Sequence, residues 1–196
     1  MQETLYEESA KCLNEKRERV KYRLVFILSL ISFFFALVSF FILISFMDLN
    51  GHWLVNVLFY VVPFILFLTM GLILFKLKNK FCVDYDYIFV TGSIRISKVI
   101  NNSIRQTIYR LNCSQIEKIG PFGSKLFKTY IDNKFIKVKF LSSNAEPDKD
   151  KAFYYLLVNY KDEKNLLVLE CSKTFIIHVL RNSNRAIRDE ELKWFI

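Results

Sequence analysis

Two uncharged apolar runs, Leu24–Met47 and Leu54–Phe75, constrain this chain more than any other feature. They hold 24 and 22 residues, and neither contains a Lys, Arg, Asp or Glu. A bilayer core of about 30 Å needs roughly 20 apolar residues in a helix, and backbone polar groups in lipid must pair within their own segment. The runs therefore read as two membrane-spanning helices. A cleaved signal peptide would have a shorter apolar region, about 7–15 residues, before a small-residue cleavage site. Between the runs, Asp48-Leu49-Asn50-Gly51-His52 reads as a tight reversal, because Asn and Gly tolerate positive φ. The spans are then antiparallel neighbours. Pro63 lies inside the second run and is expected to kink it by removing a backbone donor.

Lysine and arginine flank the pair on one side only. Lys11, Lys16, Arg17, Arg19, Lys21 and Arg23 precede the first run, Lys76, Lys78 and Lys80 follow the second, and the turn has none. The positive-inside bias then puts both termini in the cytoplasm, with Tyr22 and Trp53 as interfacial anchors. Polar residues within the runs are Ser29, Ser32, Ser39, Ser45, Asn56 and Thr69. Ser and Thr bond their own helix carbonyls or a neighbouring helix. No ionisable residue sits at mid-membrane, where a proton relay or ion site would show itself. The expected organisation is a cytoplasmic tail (1–23), a helical hairpin (24–75) and a cytoplasmic domain (76–196).

The formal charge of +9 is concentrated in that domain: Lys76–Ile196 has 22 basic and 13 acidic residues, whereas Met1–Arg23 has six and five. A basic domain tethered to an inner leaflet finds a partner in anionic head groups, each nearby Lys or Arg contributing about 1 kcal/mol. Nucleic acid has no support from a helix-turn-helix, zinc-ligand or aromatic RNA-binding pattern. Cys12, Cys82, Cys113 and Cys171 form no C-x-x-C pair, so neither a metal nor any other cofactor is expected.

After the hairpin the hydrophobic period shifts from helical to alternating. Tyr85–Val90 and Ile94–Ile100 read as strands around Thr91-Gly92-Ser93, followed by Ile104–Leu111 and Cys113–Ile119. Phe122–Asn133 is Lys-rich and irregular. Phe135–Leu141 alternates again, Ser142–Lys151 is a polar loop, and Ala152–Tyr160 and Leu166–Cys171 flank a loop at Lys161–Asn165. Ser172 is an N-cap for a closing helix whose apolar face is Phe175, Ile176, Val179 and Leu180. The fold class is α+β: a two-helix hairpin, about seven mainly antiparallel strands, and a C-terminal helix.

The stretch from Val83 to Ile96, with its Tyr85-Asp86-Tyr87 core and Gly92 turn, resembles a landmark of uncharacterised two-helix membrane proteins of clostridial type. Ile116-Glu117-Lys118-Ile119-Gly120-Pro121 is similar to a second landmark. A wider resemblance is to bacterial pleckstrin-homology-like domains anchored by membrane hairpins. It implies a bent seven-stranded sheet with a C-terminal helix, a multi-pass protein of a bacterial plasma membrane, and binding or scaffolding rather than catalysis. It transfers no catalytic residues.

The residues themselves offer one cluster. Lys125, Lys128, Lys134, Lys137 and Lys139 are the candidate contact for anionic lipid or an acidic partner, with Lys137 and Lys139 alternating out of one strand face. The plainer reading is an ordinary solvent face. The alternative is an accessory or regulatory subunit of a larger membrane complex, with the hairpin as the contact and another protein or a second copy of the chain as the partner. A remote third reading is an enzyme using Asp84 and Asp86, which share a strand face at i, i+2. His178 lies beside an apolar stripe with no partnered nucleophile in view.

Overall fold

The computed structural model describes residues 5–46, 57–81, 83–183 and 188–194. The expected reversal at Asp48–His52, Trp53, Asn56, Cys82 and the Phe195-Ile196 end lie outside the described residues. The chain forms two compact units: residues 14–82, and residues 1–13 together with 83–196.

The first unit is the hairpin. Helix α1 (Glu15–Phe46) and helix α2 (Val62–Leu77) run antiparallel: Ser29 Oγ donates to Gly71 O at 3.1 Å, and Ser32 Oγ to Phe67 O at 2.8 Å. Ser29 and Ser32 are thus satisfied across the pair, beside a close approach made by small residues. A Cβ on Gly71 would stand 2.9 Å from Phe33 Cε1, so glycine is what admits that ring. Phe35 stacks on Phe67, and Phe40 meets Phe64. Pro63 stands where a π-turn at Val57–Val61 runs into α2, so its missing N–H interrupts the regular hydrogen-bond ladder at that junction. Both helices are long and apolar enough to cross a membrane, and large side chains such as Leu24, Phe34, Phe41, Phe59 and Ile73 remain exposed around them. A soluble helix apolar on every side would be buried; these are not. Lys78 Nζ lies 3.7 Å from the Phe75 ring centre and 4.3 Å from that of Phe26, its stem lying along the apolar surface.

The second unit is a two-sheet sandwich. One sheet has the order β1-β2-β3-β4 (Leu5–Ala10, Val83–Val90, Ser93–Ile100, Ile104–Asn112), all antiparallel. The other has β5-β7-β8-β6 (Ile116–Pro121, Ala152–Tyr160, Glu163–Cys171, Lys137–Phe140), with β6 parallel to β8 and the rest antiparallel. Alternating side chains meet between the sheets: Tyr87, Phe89, Ile94 and Ile96 from the first, Tyr154, Leu156, Leu167 and Leu169 from the second. Helix α4 (Lys173–Arg181) adds Phe175, Ile176 and Val179 to that core. Its cap is Ser172, whose Oγ accepts from Phe175 N at 3.3 Å. A second, smaller core lies on the outer face of the β5–β8 sheet, where helix α3 (Lys125–Asp132) lays Phe127 against Tyr155, Leu157, Leu166 and Val168.

Three features differ from the sequence reading. The tail expected over Met1–Arg23 contains a strand, since Leu5–Ala10 pairs with β2 from Leu5↔Val90 to Ala10↔Tyr85. Its acidic composition hides the alternation: Tyr6 reaches the core beside Phe175, Glu8 accepts from Ser172, and Ser9 bonds Asp86. The described residues accordingly hold eight strands, and the hairpin is inserted between β1 and β2. The stretch Phe122–Asn133 is not irregular but holds α3, whose few apolar positions suffice to cover one sheet face. The loop at Lys161–Asn165 shrinks to Lys161 and Asp162, both at positive φ, with β8 starting at Glu163.

Candidate functional site

Five lysines between Gly123 and Leu141 stand against one carboxylate, Asp132. What places them is the excursion from β5 to β6. After Pro121 the chain turns, and Ser124 caps α3 by accepting from Phe127 N at 3.2 Å. The same Ser124 hydroxyl donates to Asp189 Oδ2 at 3.0 Å, and Tyr155 donates its hydroxyl to that oxygen at 2.8 Å. Burial and this carboxylate push the Tyr155 hydroxyl far above its ordinary range. Gly120 is obligatory here: a Cβ would lie 2.5 Å from Asp189 Oδ2 and 2.6 Å from Tyr155 Cε1. Glu191 then accepts from Lys125 N at 3.2 Å, so the C-terminal segment holds the start of α3 twice.

With Phe127 turned inward, Lys125 and Lys128 are exposed on α3. Asn133 ends the helix. Its Oδ1 accepts from Phe135 N and its carbonyl from Ile136 N, both at 3.0 Å. Lys134 and Phe135 therefore sit on a held turn, while Ile136 anchors in the smaller core. Lys137 and Lys139 leave on the other side of β6, since Val138 packs toward α3. Lys137 is bound by Glu163 at 2.7 and 2.8 Å. That hydrogen bond, then the charges of Lys137 and Lys139, hold the Glu163 carboxyl below its usual range. Lys139 Nζ stands 5.2 Å over the Tyr109 ring, at a cavity of about 240 Å³ shared with Tyr160, Lys161 and Asn165. The structure thus divides the five lysines. Lys125, Lys128 and Lys134 lie on the α3 flank without an ion pair among the described residues, and Lys137 and Lys139 lie on the opposite face.

Beside the lysines are exposed apolar side chains that the sequence reading did not single out. Phe135 is 91% exposed, and Ile131, Phe122 and Phe140 are exposed as well. The signal was available: Phe135 breaks into a run of Asn and Lys.

Asp84 and Asp86 have structural partners. Asp84 Oδ1 accepts from Cys12 N at 2.8 Å; Asp86, buried, accepts from Ser9 Oγ at 2.7 Å and faces Arg105 in an ionic contact of 2.7 Å. Both carboxylates fasten β1 and its exit to β2. The polar loop completes this junction. Asn144 Oδ1 accepts from Leu13 N at 2.9 Å and its Nδ2 donates to Lys11 O at 2.8 Å, while Ser143 Oγ donates to Val83 O. The loop is itself gathered by Glu170, fully buried, which accepts from Asn144 Nδ2, Asp148 N and Ser142 Oγ. Glu170 was legible as the one charge in an otherwise apolar strand run. His178 stacks on Tyr6 with ring centres 5.1 Å apart. Cys12, Cys113 and Cys171 are buried, and burial pushes the thiols of the last two above the ordinary range. Among the described residues no cluster of His, Cys, Asp and Glu has the makings of a metal site.

Two four-stranded sheets closed by a C-terminal helix define a pleckstrin-homology-like domain, here with two helices of membrane-spanning length in the β1–β2 connection. The chain belongs to the family described as Bacterial PH-like domain (DUF6106), whose model matches residues 10–189. Comparisons with curated proteins and with solved structures match nothing.

Proposed function

We propose that this protein is a non-enzymatic, membrane-anchored binding module whose α3 flank engages anionic head groups on the cytoplasmic leaflet of a bacterial plasma membrane. In this reading the hairpin spans the membrane with both chain ends in the cytoplasm, as the placement of Lys and Arg around the two apolar runs favours. One observation carries the proposal. Lys125, Lys128 and Lys134 are exposed with no carboxylate partner among the described residues, whereas Lys137 and Lys164 are paired. Unpaired lysines near an anionic surface each contribute about 1 kcal/mol, an attraction that salt screens over a Debye length of about 8–10 Å.

The test uses the full chain in nanodiscs of neutral or phosphatidylserine-containing lipid, read by amide hydrogen exchange. Residues 124–136 are expected to exchange more slowly on the anionic discs, and the difference to vanish at high salt. Replacing Lys125, Lys128 and Lys134 by Glu is expected to abolish it. Circular dichroism checks that the helix persists in this variant, since only Lys125 lies in the first turn, where an acidic residue is favourable. Equal exchange on both kinds of disc would overturn the proposal and direct attention to a protein partner.

A further inference from the structure

We infer that the α3–β6 turn is a membrane-inserting tip, in which Phe135, supported by Ile131, enters the head-group region of an anionic leaflet. This rests on the lipid-facing reading above and adds an apolar element to it. Phe135 is 91% exposed and Ile131 44% exposed, although Phe and Ile are among the residues most often fully buried. The exposure is not that of a frayed end. Asn133 fixes the backbone on both sides of Lys134 through its bonds to Phe135 N and Ile136 N. Ile136, the next residue, is 8% exposed and packed in the smaller core. The fold therefore holds the ring outward from a rigid base.

The surroundings identify the occupant. Lys128 and Lys134 flank the two apolar side chains, and Lys125 lies a turn away beside Glu191; within the segment from Lys125 to Ile136 the one acidic residue is Asp132, so the tip is apolar with a cationic rim. That is the composition of segments that lie in a bilayer interface, apolar groups below the head groups and lysines among the phosphates. A neutral apolar protein groove would gain nothing from the rim. An anionic lipid surface is engaged by both parts, and the same chain carries two helices suited to hold it at such a surface.

The experiment places a tryptophan at the tip. Phe135→Trp is made in a chain with Trp53→Phe and Trp194→Phe and reconstituted in phosphatidylserine-containing nanodiscs. The inference expects blue-shifted emission that loses intensity with lipids brominated near the head groups, and less with lipids brominated at the chain ends. Emission like that of free tryptophan, unquenched by either lipid, overturns it. A blue shift without quenching, growing with the number of chains per disc, also overturns it and assigns the tip to a second copy. Failure here is separable from failure of the parent proposal: salt-sensitive exchange protection that persists while the tip stays unquenched would mean contact through lysine alone. Phe135→Ser, at an exposed position, is the companion variant, expected to weaken the protection at 124–136 while leaving the thermal stability of the chain unchanged.

Discussion

Asn144 is the smallest change that tests how the β domain is fastened where the hairpin leaves and returns. Asn144→Ala removes an acceptor from Leu13 N, a donor to Lys11 O and a donor to the fully buried carboxylate of Glu170. The first two bonds are exposed and neutral, and water replaces them, so about 0.5 kcal/mol each is reasonable. The third is charge-assisted and serves a group that water does not reach, worth about 1.5–3 kcal/mol. The total is about 3 kcal/mol. The loss is expected to be regional: amides of Cys12, Leu13 and residues 142–150 should exchange about a hundredfold faster, by the conversion of 1.4 kcal/mol per factor of ten. The assay is hydrogen exchange on the full chain in detergent. Asn144→Asp sharpens it, since an acceptor is kept but a carboxylate is set against Glu170. One of two adjacent carboxylates resists ionisation, so this variant should be the less stable at pH 7 and recover on acidification. An Asn144→Ala chain with unchanged exchange in both segments, or an Asn144→Asp chain with no pH dependence, would falsify the assignment of Glu170 and Asn144 as the fastening.

Alkaline pH should unfold the β domain through its buried thiols and phenols. Burial, and next the charge of Glu8, raise Cys171 well above its ordinary range, and burial raises Tyr87. Such groups stay protonated in the fold but ionise when unfolded, so stability is full below about pH 8.5 and falls by about 1.4 kcal/mol per pH unit per group above each ordinary pKa. A melting temperature flat from pH 7 to 11 would refute this, and Cys171→Ala should reduce the earliest part of the decline, to which the buried Cys113 also contributes. Gly71→Leu forces a side chain against Phe33, an overpacking worth about 1–3 kcal/mol. It should loosen the helix pair, seen as faster disulfide exchange between cysteines placed at its two ends, and an unaltered rate would count against the close approach. A fragment of Val83–Ile196 lacks β1, baring the β2 edge and Asp86 together. It is expected to aggregate where the full chain in detergent does not, and a monodisperse fragment would contradict the role given to β1.

The two apolar helices, the closing helix, most strands and the Ser172 cap were legible because each has a local signature: apolar length, period two, or a hydroxyl before an amphipathic turn. What escaped was non-local. β1 is a strand only because β2 offers an edge and Asp86 a partner for Ser9, and nothing in Leu-Tyr-Glu-Glu-Ser-Ala predicts either. The α3 helix is short, and Phe127 and Tyr130 supply most of its buried contact, so its composition reads as loop until the apolar sheet face beneath it is known. The lysine cluster was legible as composition but not as geometry. Alternation told correctly that Lys137 and Lys139 share a face. It could not tell that this face lies opposite Lys125, Lys128 and Lys134, which depends on Val138 packing toward α3.

The inserted hairpin ties two folding problems together. Pairing β1 with β2 closes a loop from Ala10 to Tyr85, and closing about 70 flexible residues costs more than a short turn by about 0.6 kcal/mol for each doubling of length. A hairpin already zipped by Ser29, Ser32 and Gly71 brings the two ends together, reducing the effective loop to the few residues at 11–14 and 78–82. That is about three doublings, or about 2 kcal/mol, returned to the β1–β2 pairing. The sandwich repays in kind, because a paired β1 and β2, held further by Asn144 on Leu13 and Ser143 on Val83, keeps the bases of the two helices adjacent. Helix packing in the membrane has no hydrophobic drive of its own, so a fixed pair of ends matters most to such a hairpin. The position of the insertion, between the first two strands rather than ahead of the domain, is what makes this mutual support available.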